Sequence, residues 1–292
     1  MSGDLDLAAA QFAEHRRRLF GIAYRMLGTV ADAEDVLQDA WIRWQMTDRS
    51  AVREPAAFLT TVTTRLAINA LQSAHVRRET YIGPWLPEPV NTEDDPGLGA
   101  ERSEALEYAV LILLEKLTPT ERAAYVLREA LDYPYERIAE VIQTTAVATR
   151  QLVSRARKHL ASERKATTDA ASHRRLLEAF LAAAQRGETA QLEALFADDV
   201  VSYTDGNGVK LAARIPVHGR ERVAKFVAAF SSHFWTGKAI AWVSVNGLPG
   251  VALMQNGVVT TVLTAHVGGD GIRQLLWIMS PDKLRHVTTT GL

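Results

Sequence analysis

Residues Thr29–Trp44 read TVADAEDVLQDAWIRW. Val30, Ala33, Val36, Leu37, Ala40, Trp41 and Trp44 recur at spacings of three and four, so they lie on one stripe of a helix with 3.6 residues per turn. Asp32, Glu34, Asp35, Gln38 and Asp39 fall outside the stripe and are expected to face outward. Thr29 followed by Asp32 offers a hydroxyl and a carboxylate to the free amides of a first turn, which predicts a helix start there. An acidic outer face is ordinarily only a solvated face. Its meaning depends on what the rest of the chain carries.

On either side the pattern stays helical. Phe12, Leu19, Phe20, Ala23, Tyr24 and Leu27 form an upstream apolar face, and Gly28 breaks that helix before the acidic one begins. Downstream, the polar loop MTDRSAVRE leads to Pro55, a residue suited to a first helical turn. Phe58, Leu59, Val62, Leu66 and Ala70 are the stripe of the third helix, with Thr64, Arg65, Asn69 and Gln72 off it. Residues 7–78 therefore read as one helical domain.

Residues 79–105 differ in kind. Prolines at 84, 87, 89 and 96 exclude helix and central strand there and favour polyproline-like extension. The first half carries Tyr81, Ile82, Trp85 and Leu86 and is expected to dock on a folded surface; the acidic NTEDDPG reads as tether. Helical periodicity returns over 106–165. Thr118-Pro119-Thr120-Glu121 is a capping-box start. ERIAEVI, the turn QTTA and VATRQLVSRARKHL then have the spacing of a helix-turn-helix, although Gln143 or Thr144 stands where a glycine often serves the turn. In the second helix Thr149, Val153, Ala156 and Leu160 face a core. Arg150, Gln151, Ser154, Arg155 and Lys158 form a surface able to donate to base edges and phosphates. From about residue 170 two helices are followed, after Asp199, by short β-like runs with turn signals NGLPG, NG and GGDG, which predicts an α+β domain over 170–292.

The composition agrees with such a multi-domain chain. A length of 292 residues exceeds one ordinary core. With a formal net charge of −1 the molecule is not a general polycation, so nucleic-acid binding must come from a local patch. The absence of cysteine excludes disulfides, thiolate zinc sites and cysteine nucleophiles, and fits a reducing cytoplasm. No long apolar run predicts a membrane span, and no spacing calls for a metal or a cofactor.

On these motifs the chain resembles the extracytoplasmic-function sigma factors of bacterial RNA polymerase. DAEDVLQDAWIRW resembles the region 2 helix that docks on core polymerase. AFLTTVTTRLAINALQSAHVRR resembles the following helix, which reads and melts the −10 element. LTPTERAAYVLREALDYPYERIAEVIQTTAVATRQLVSRARKHL resembles region 4, the reader of the −35 element. YIGPWLPEP, FLAAAQRGE, LFADDVVSYTDG and SPDKLRHV resemble the subgroup that carries a SnoaL-like C-terminal extension, an α+β cone.

The resemblance implies two all-α domains, region 2 (7–78) and the helix-turn-helix region 4 (106–165), joined by the proline linker to the SnoaL-like domain. It implies core polymerase and promoter DNA as partners and no enzymatic reaction. The expected polymerase contacts are Asp32, Glu34, Asp35, Gln38 and Asp39. Thr64, Arg65, Asn69, Arg77 and Arg78 would serve the −10 element, with the loop from Thr47 to Arg53 walling a pocket for a flipped base. Arg150, Gln151, Ser154, Arg155 and Lys158 would serve the −35 element. Trp85, Leu86, Pro87, Asp205, Gly206, Lys210, Asp282 and Lys283 would form a regulatory contact by which the extension touches the linker or region 2.

Two other readings stay open on residues alone. One is a one-component regulator that senses a ligand in its C-terminal domain. The other is an enzyme with a DNA-binding module, using an acid/base pair drawn from Tyr203, Asp205, His218, His233, Trp235, Trp242 and His266 in an apolar pocket.

Overall fold

The computed structural model describes residues 2–90, 108–163 and 169–287. The chain divides into two compact units, Met1–Glu79 with Asp95–Glu163, and Thr80–Asp94 with Arg164–Leu292.

Among its described residues the first unit is helical: α1 (Ser2–Leu27), α2 (Val30–Met46), α3 (Pro55–Glu79), α4 (Tyr108–Leu114), α5 (Pro119–Glu129), α6 (Tyr135–Ile142) and α7 (Ala146–Glu163). α1 begins well before Leu7; Leu5 and Leu7 in its first turns are exposed and mark no buried face. Gly28, at φ 77°, ends it in the left-handed region that glycine adopts without strain. The predicted cap of α2 forms: the Asp32 amide donates to Thr29 Oγ1 (3.2 Å), and the Thr29 hydroxyl donates to Asp32 Oδ2 (2.6 Å). Ala33, Val36, Leu37, Ala40 and Trp44 are the buried stripe of α2. Trp44 is fully enclosed, its ring 5.6 Å from that of Phe58 and its indole N–H donating to the Ala8 carbonyl.

The capping box at Thr118 and Glu121 starts α5. Ala124, Leu127, Ile138, Val141 and Val153 are the core on which α6 and α7 cross. At the α6–α7 turn Gln143 takes φ 57°, and the Thr144 amide donates to the Ala139 carbonyl at 2.9 Å. Glutamine thus occupies the left-handed position that glycine fills at lower cost. Relief of about 1–2 kcal/mol of left-handed strain outweighs the extra chain entropy of glycine, so Gln143→Gly is expected to stabilise this unit by about 0.5–1 kcal/mol. Urea titration followed by circular dichroism checks this; a destabilised variant refutes it.

The second unit is α+β: α8 (Ala170–Arg186), α9 (Thr189–Leu195), β1 (Phe196–Asp205), β2 (Val217–His218), α10 (Arg220–Ala229), α11 (Ser231–Phe234), β3 (Ala239–Val245), β4 (Leu248–Gln255), β5 (Val258–Gly268), β6 (Gly271–Ile278) and α12 (Pro281–Leu284). The sheet order is β2-β1-β6-β5-β4-β3, antiparallel except for the parallel pair β1 and β6. Helices α8–α11 pack on the sheet face carrying Val251, Leu253, Leu263, Ala265, Leu275 and Trp277.

Asn246-Gly247 and Asn256-Gly257, all at positive φ, close two-residue hairpins of the kind that match strand twist. In NGLPG only the first two residues turn, and β4 starts at Leu248. Two elements depart from the sequence pattern. β1 begins at Phe196 rather than after Asp199, because an irregularity between Phe196 and Val201 breaks the alternation in ADDV. The helix α10 was not marked by the turn-and-strand signals around it. Thr80–Val90 runs extended within this unit, with Leu86, Pro87, Glu88 and Pro89 buried.

His173, near the start of α8, is 3% exposed, and its Nε2 has no hydrogen-bond partner among the described residues. Burial, reinforced by His266, lowers its pKa to about 4. The folded state therefore keeps this ring neutral while the unfolded chain takes up a proton near pH 6.5. Stability should fall as pH drops from about 6.5 towards 4, by up to about 3 kcal/mol from this group. Urea titrations across that range check it: His173→Leu is expected to flatten the loss, and an unchanged slope refutes the assignment.

Candidate functional site

Three faces and one internal contact hold the residues that the sequence singles out. On α2, Asp35, Gln38 and Asp39 are exposed. Asp35 and Gln38 border an open groove between α1 and α2 lined also by Phe12, Arg16, Glu34 and Trp41. Glu34 is paired with Arg16 at 2.6 Å, both half exposed, an arrangement worth little in stability. Asp32 is committed to the helix cap and only partly exposed, so it contributes less to the face than its spacing suggests. Trp41, read from the sequence as part of the apolar stripe, is half-buried and lies tilted against Phe12 with ring centroids 5.3 Å apart, and both side chains line the groove.

On α3 the candidates separate. Thr64 is fully buried, not turned outward, and Asn69 is exposed. Arg65 donates through Nε to the Val141 carbonyl and through Nη2 to the Glu140 carbonyl, each at 2.9 Å. Arg78 donates to the Leu27 carbonyl and is paired with Glu115. Burial, the largest influence on the Arg78 guanidinium, lowers its pKa, with Glu115 acting in the opposite direction. The side chain of Arg77 lies outside the described residues. Between α2 and α3, Asp48 caps the single turn Arg49–Ala51 by accepting from the Ser50 amide and hydroxyl.

On α7, Arg150, Gln151, Ser154, Arg155 and Lys158 share the exposed side, as the periodicity requires, while Thr149, Val153, Ala156 and Leu160 are buried. Arg150 lies 3.0 Å from Glu136 and over the Tyr135 ring, and Arg155 lies 3.4 Å from Glu121. These exposed pairs hold the guanidinium groups loosely and leave them able to exchange carboxylate for phosphate.

The internal contact is built inside the second unit. Asp205, at the end of β1, is fully buried. It accepts from the Tyr81 hydroxyl, from the Leu86 amide (2.6 Å) and from Lys283 Nζ (2.6 Å). Lys283 also donates to the Leu86 carbonyl and sits 4.0 Å from the Trp85 ring centroid and 5.0 Å from that of Tyr81. Burial first, then the Asp205 charge, holds the Tyr81 phenol well above its usual pKa.

Gly206 follows at a close approach: a Cβ there would lie 2.2 Å from the Ala212 methyl. Of the predicted set, Trp85, Leu86, Asp205 and Lys283 come together and Pro87 is buried beside them. Lys210 is exposed, and Asp282 is exposed and paired with Arg285.

Three partners escaped the sequence reading. Tyr81 was noted only as apolar. Glu88, 2% exposed, faces His286 Nδ1 at 2.8 Å, and Asn246 exchanges two hydrogen bonds with the Val90 backbone. A carboxylate inside WLPEP and an asparagine in a tight turn were the available signals.

An apolar pocket in the same unit is lined by Thr204, Leu211, Phe226, Val227, Phe230, Phe234, Trp235, Trp277 and Met279. Of the residues proposed for acid/base work only Trp235 reaches it, and this described lining includes no carboxylate or imidazole. Among the described residues no group of three or more histidine or acidic side chains is placed to hold a metal.

An acidic helix with an adjoining groove, a packed third helix and a basic helix-turn-helix in that order define a sigma factor of the sigma-70 type. The Sigma-70 region 2 model matches residues 11–77 and the Sigma-70 region 4 model matches residues 109–160. The chain is 35% identical to the ECF RNA polymerase sigma factor SigJ of Mycobacterium tuberculosis, over 95% of this chain and 93% of that one. It matches the crystal structure of M. tuberculosis SigJ with a TM-score of 0.76 at 32% identity, covering 97% of this chain and 100% of that one. A probable ECF sigma factor of the same organism, SigI, is 29% identical over 96% of this chain and 95% of its own. The chain belongs to the ECF sigma factor family.

Proposed function

We infer that the protein directs RNA polymerase to specific promoters as a sigma factor, through the three faces described and with no reaction of its own. The similarity to SigJ along nearly the whole chain, with both sigma regions matched in order, is the observation that carries this reading. Asp35, Gln38 and Asp39, with Glu34 and Trp41 at the groove, are assigned to core polymerase. Arg65, Asn69, Arg77 and Arg78 are assigned to the −10 element. Arg150, Gln151, Ser154, Arg155 and Lys158 are assigned to the −35 element. The work is placed in the cytoplasm, beside polymerase and chromosome; among the described residues no helix is long and apolar enough to cross a membrane.

The C-terminal domain is assigned a regulatory role, supported by its capture of the segment that joins the sigma regions: Tyr81, Trp85 and Leu86 close on Asp205 and Lys283. The apolar lining of its pocket gives the enzyme reading no acid/base pair. Purified chain added to core polymerase should yield run-off transcripts from its own promoter. Truncation after Thr168 should alter their amount. Operator binding without run-off would instead support the one-component regulator.

A further inference from the structure

We propose that Val147 reads the C5-methyl group of a thymine in the −35 element, while the arginines on either side of it hold the sugar-phosphate backbone. The proposal rests on the sigma-factor reading of α7 and names the base that its first turn selects.

Val147 stands in the first turn of α7 and is 63% exposed, the one bulky apolar side chain so exposed among the described residues of that helix. With Gln151, Ser154 and Lys158, at spacings of four, three and four, it forms a line along the outer side of α7. The buried line of Thr149, Val153, Ala156 and Leu160 lies opposite. The first turn is pinned by Thr145: the Ala148 amide donates to its Oγ1 at 3.1 Å, and the Thr149 hydroxyl donates to its carbonyl at 3.0 Å. A valine in a helix keeps one strongly preferred rotamer. Its two methyl groups are therefore presented outward in a fixed direction.

The charged side chains leave the head of this line clear. Arg150 is drawn to Glu136 (3.0 Å) and over the Tyr135 ring, both on α6. Arg155 is drawn to Glu121 (3.4 Å) and Arg157 to Glu129 (2.7 Å), both on α5. The guanidinium groups thus stand at the two edges of the outer side, and its centre carries the neutral Val147, Gln151 and Ser154. A helix seated in the major groove has phosphates along both flanks and base edges beneath its centre, and the residues near its N-terminus reach those edges. On that floor thymine is marked by an apolar group, its C5-methyl, which a valine can cover and no hydrogen-bonding side chain needs. Gln151, one turn further on, suits the N6 and N7 of adenine. The neutral line therefore selects A·T pairs, and the arginines supply affinity without sequence.

Deoxyuridine differs from thymidine only in lacking that methyl. Holoenzyme assembled from the full chain and core polymerase is bound to a promoter duplex active in run-off. Each thymine of the −35 element, on either strand, is then replaced singly by deoxyuridine. One replacement should weaken binding about fourfold, the effect of leaving one methyl group unburied. Val147→Ala, which raises helix propensity and so keeps α7 intact, should bind the unmodified duplex about fourfold more weakly and lose the sensitivity at that thymine. Arg155→Gln should weaken binding to every duplex alike and lower the salt slope by about one, with the deoxyuridine effect retained. Equal wild-type binding to all the deoxyuridine duplexes, or a thymine equally sensitive in Val147→Ala, overturns the proposal while run-off keeps the sigma reading intact. Loss of the deoxyuridine effect in Arg155→Gln overturns the division between centre and edges. Absence of run-off from the unmodified duplex overturns the sigma reading and the proposal together.

Discussion

Lys283→Met is expected to destabilise the C-terminal unit by about 3–5 kcal/mol. The lysine side chain is 6% exposed and its partner Asp205 is 0% exposed, so removing the ammonium leaves a carboxylate in a site shielded from water. Two donors would remain, the Tyr81 hydroxyl and the Leu86 amide, but neither carries charge. The cation also faces the Trp85 ring, and that contact is lost together with the bond to the Leu86 carbonyl. Urea titration followed by tryptophan fluorescence reads the effect, and a loss under about 1 kcal/mol would show that the pair is not holding the fold. The double substitution Asp205→Asn with Lys283→Met should recover much of the loss, because an amide tolerates this site where an orphaned carboxylate does not. Limited proteolysis should cut Thr80–Val90 sooner in the single variant.

The second large effect falls on partner binding. Asp35→Arg combined with Asp39→Arg should weaken capture of core polymerase by about 100-fold, since it places cations where the assigned interface presents carboxylates to a basic partner. Both positions are exposed, so the fold should change by no more than about 0.5 kcal/mol. Competition for core polymerase against a labelled sigma factor measures this. Unchanged capture would remove the α2 face from the polymerase interface.

The helical modules were legible because their signals are local. The caps at Thr29 and Thr118 and the stripes on α2 and α7 are each set by residues within a turn or two, and the structure places them as read, except that Val30 and Trp41 of the α2 stripe are only half-buried. Arg65 was recognised as lying off its stripe, yet its partners lie 75 and 76 residues away, a pairing that no periodicity encodes. Thr64 was misread for a related reason: burial on α3 extends past the apolar stripe to Thr60, Thr63 and Thr64, so a small hydroxyl side chain off the stripe is not thereby exposed. In the C-terminal unit the hairpins announced themselves through Asn-Gly turns. The start of β1 did not, because a bulge spoils the alternation that marks a strand. Trp85, Leu86, Asp205 and Lys283 were grouped by family resemblance. Their contact depends on a buried charge whose partners are distributed from Tyr81 to Lys283, and only the folded chain brings them together.

That spread has a consequence for synthesis. Leu86 leaves the ribosome 119 residues before Asp205 and 197 residues before Lys283. At roughly 5–20 residues per second the proline segment waits on the order of 10–40 s for its dock. A nascent chain therefore passes through a stage in which both DNA-reading modules have emerged and nothing yet restrains the strand between them. Slow or paused translation of the codons between Asp205 and Lys283 lengthens that interval.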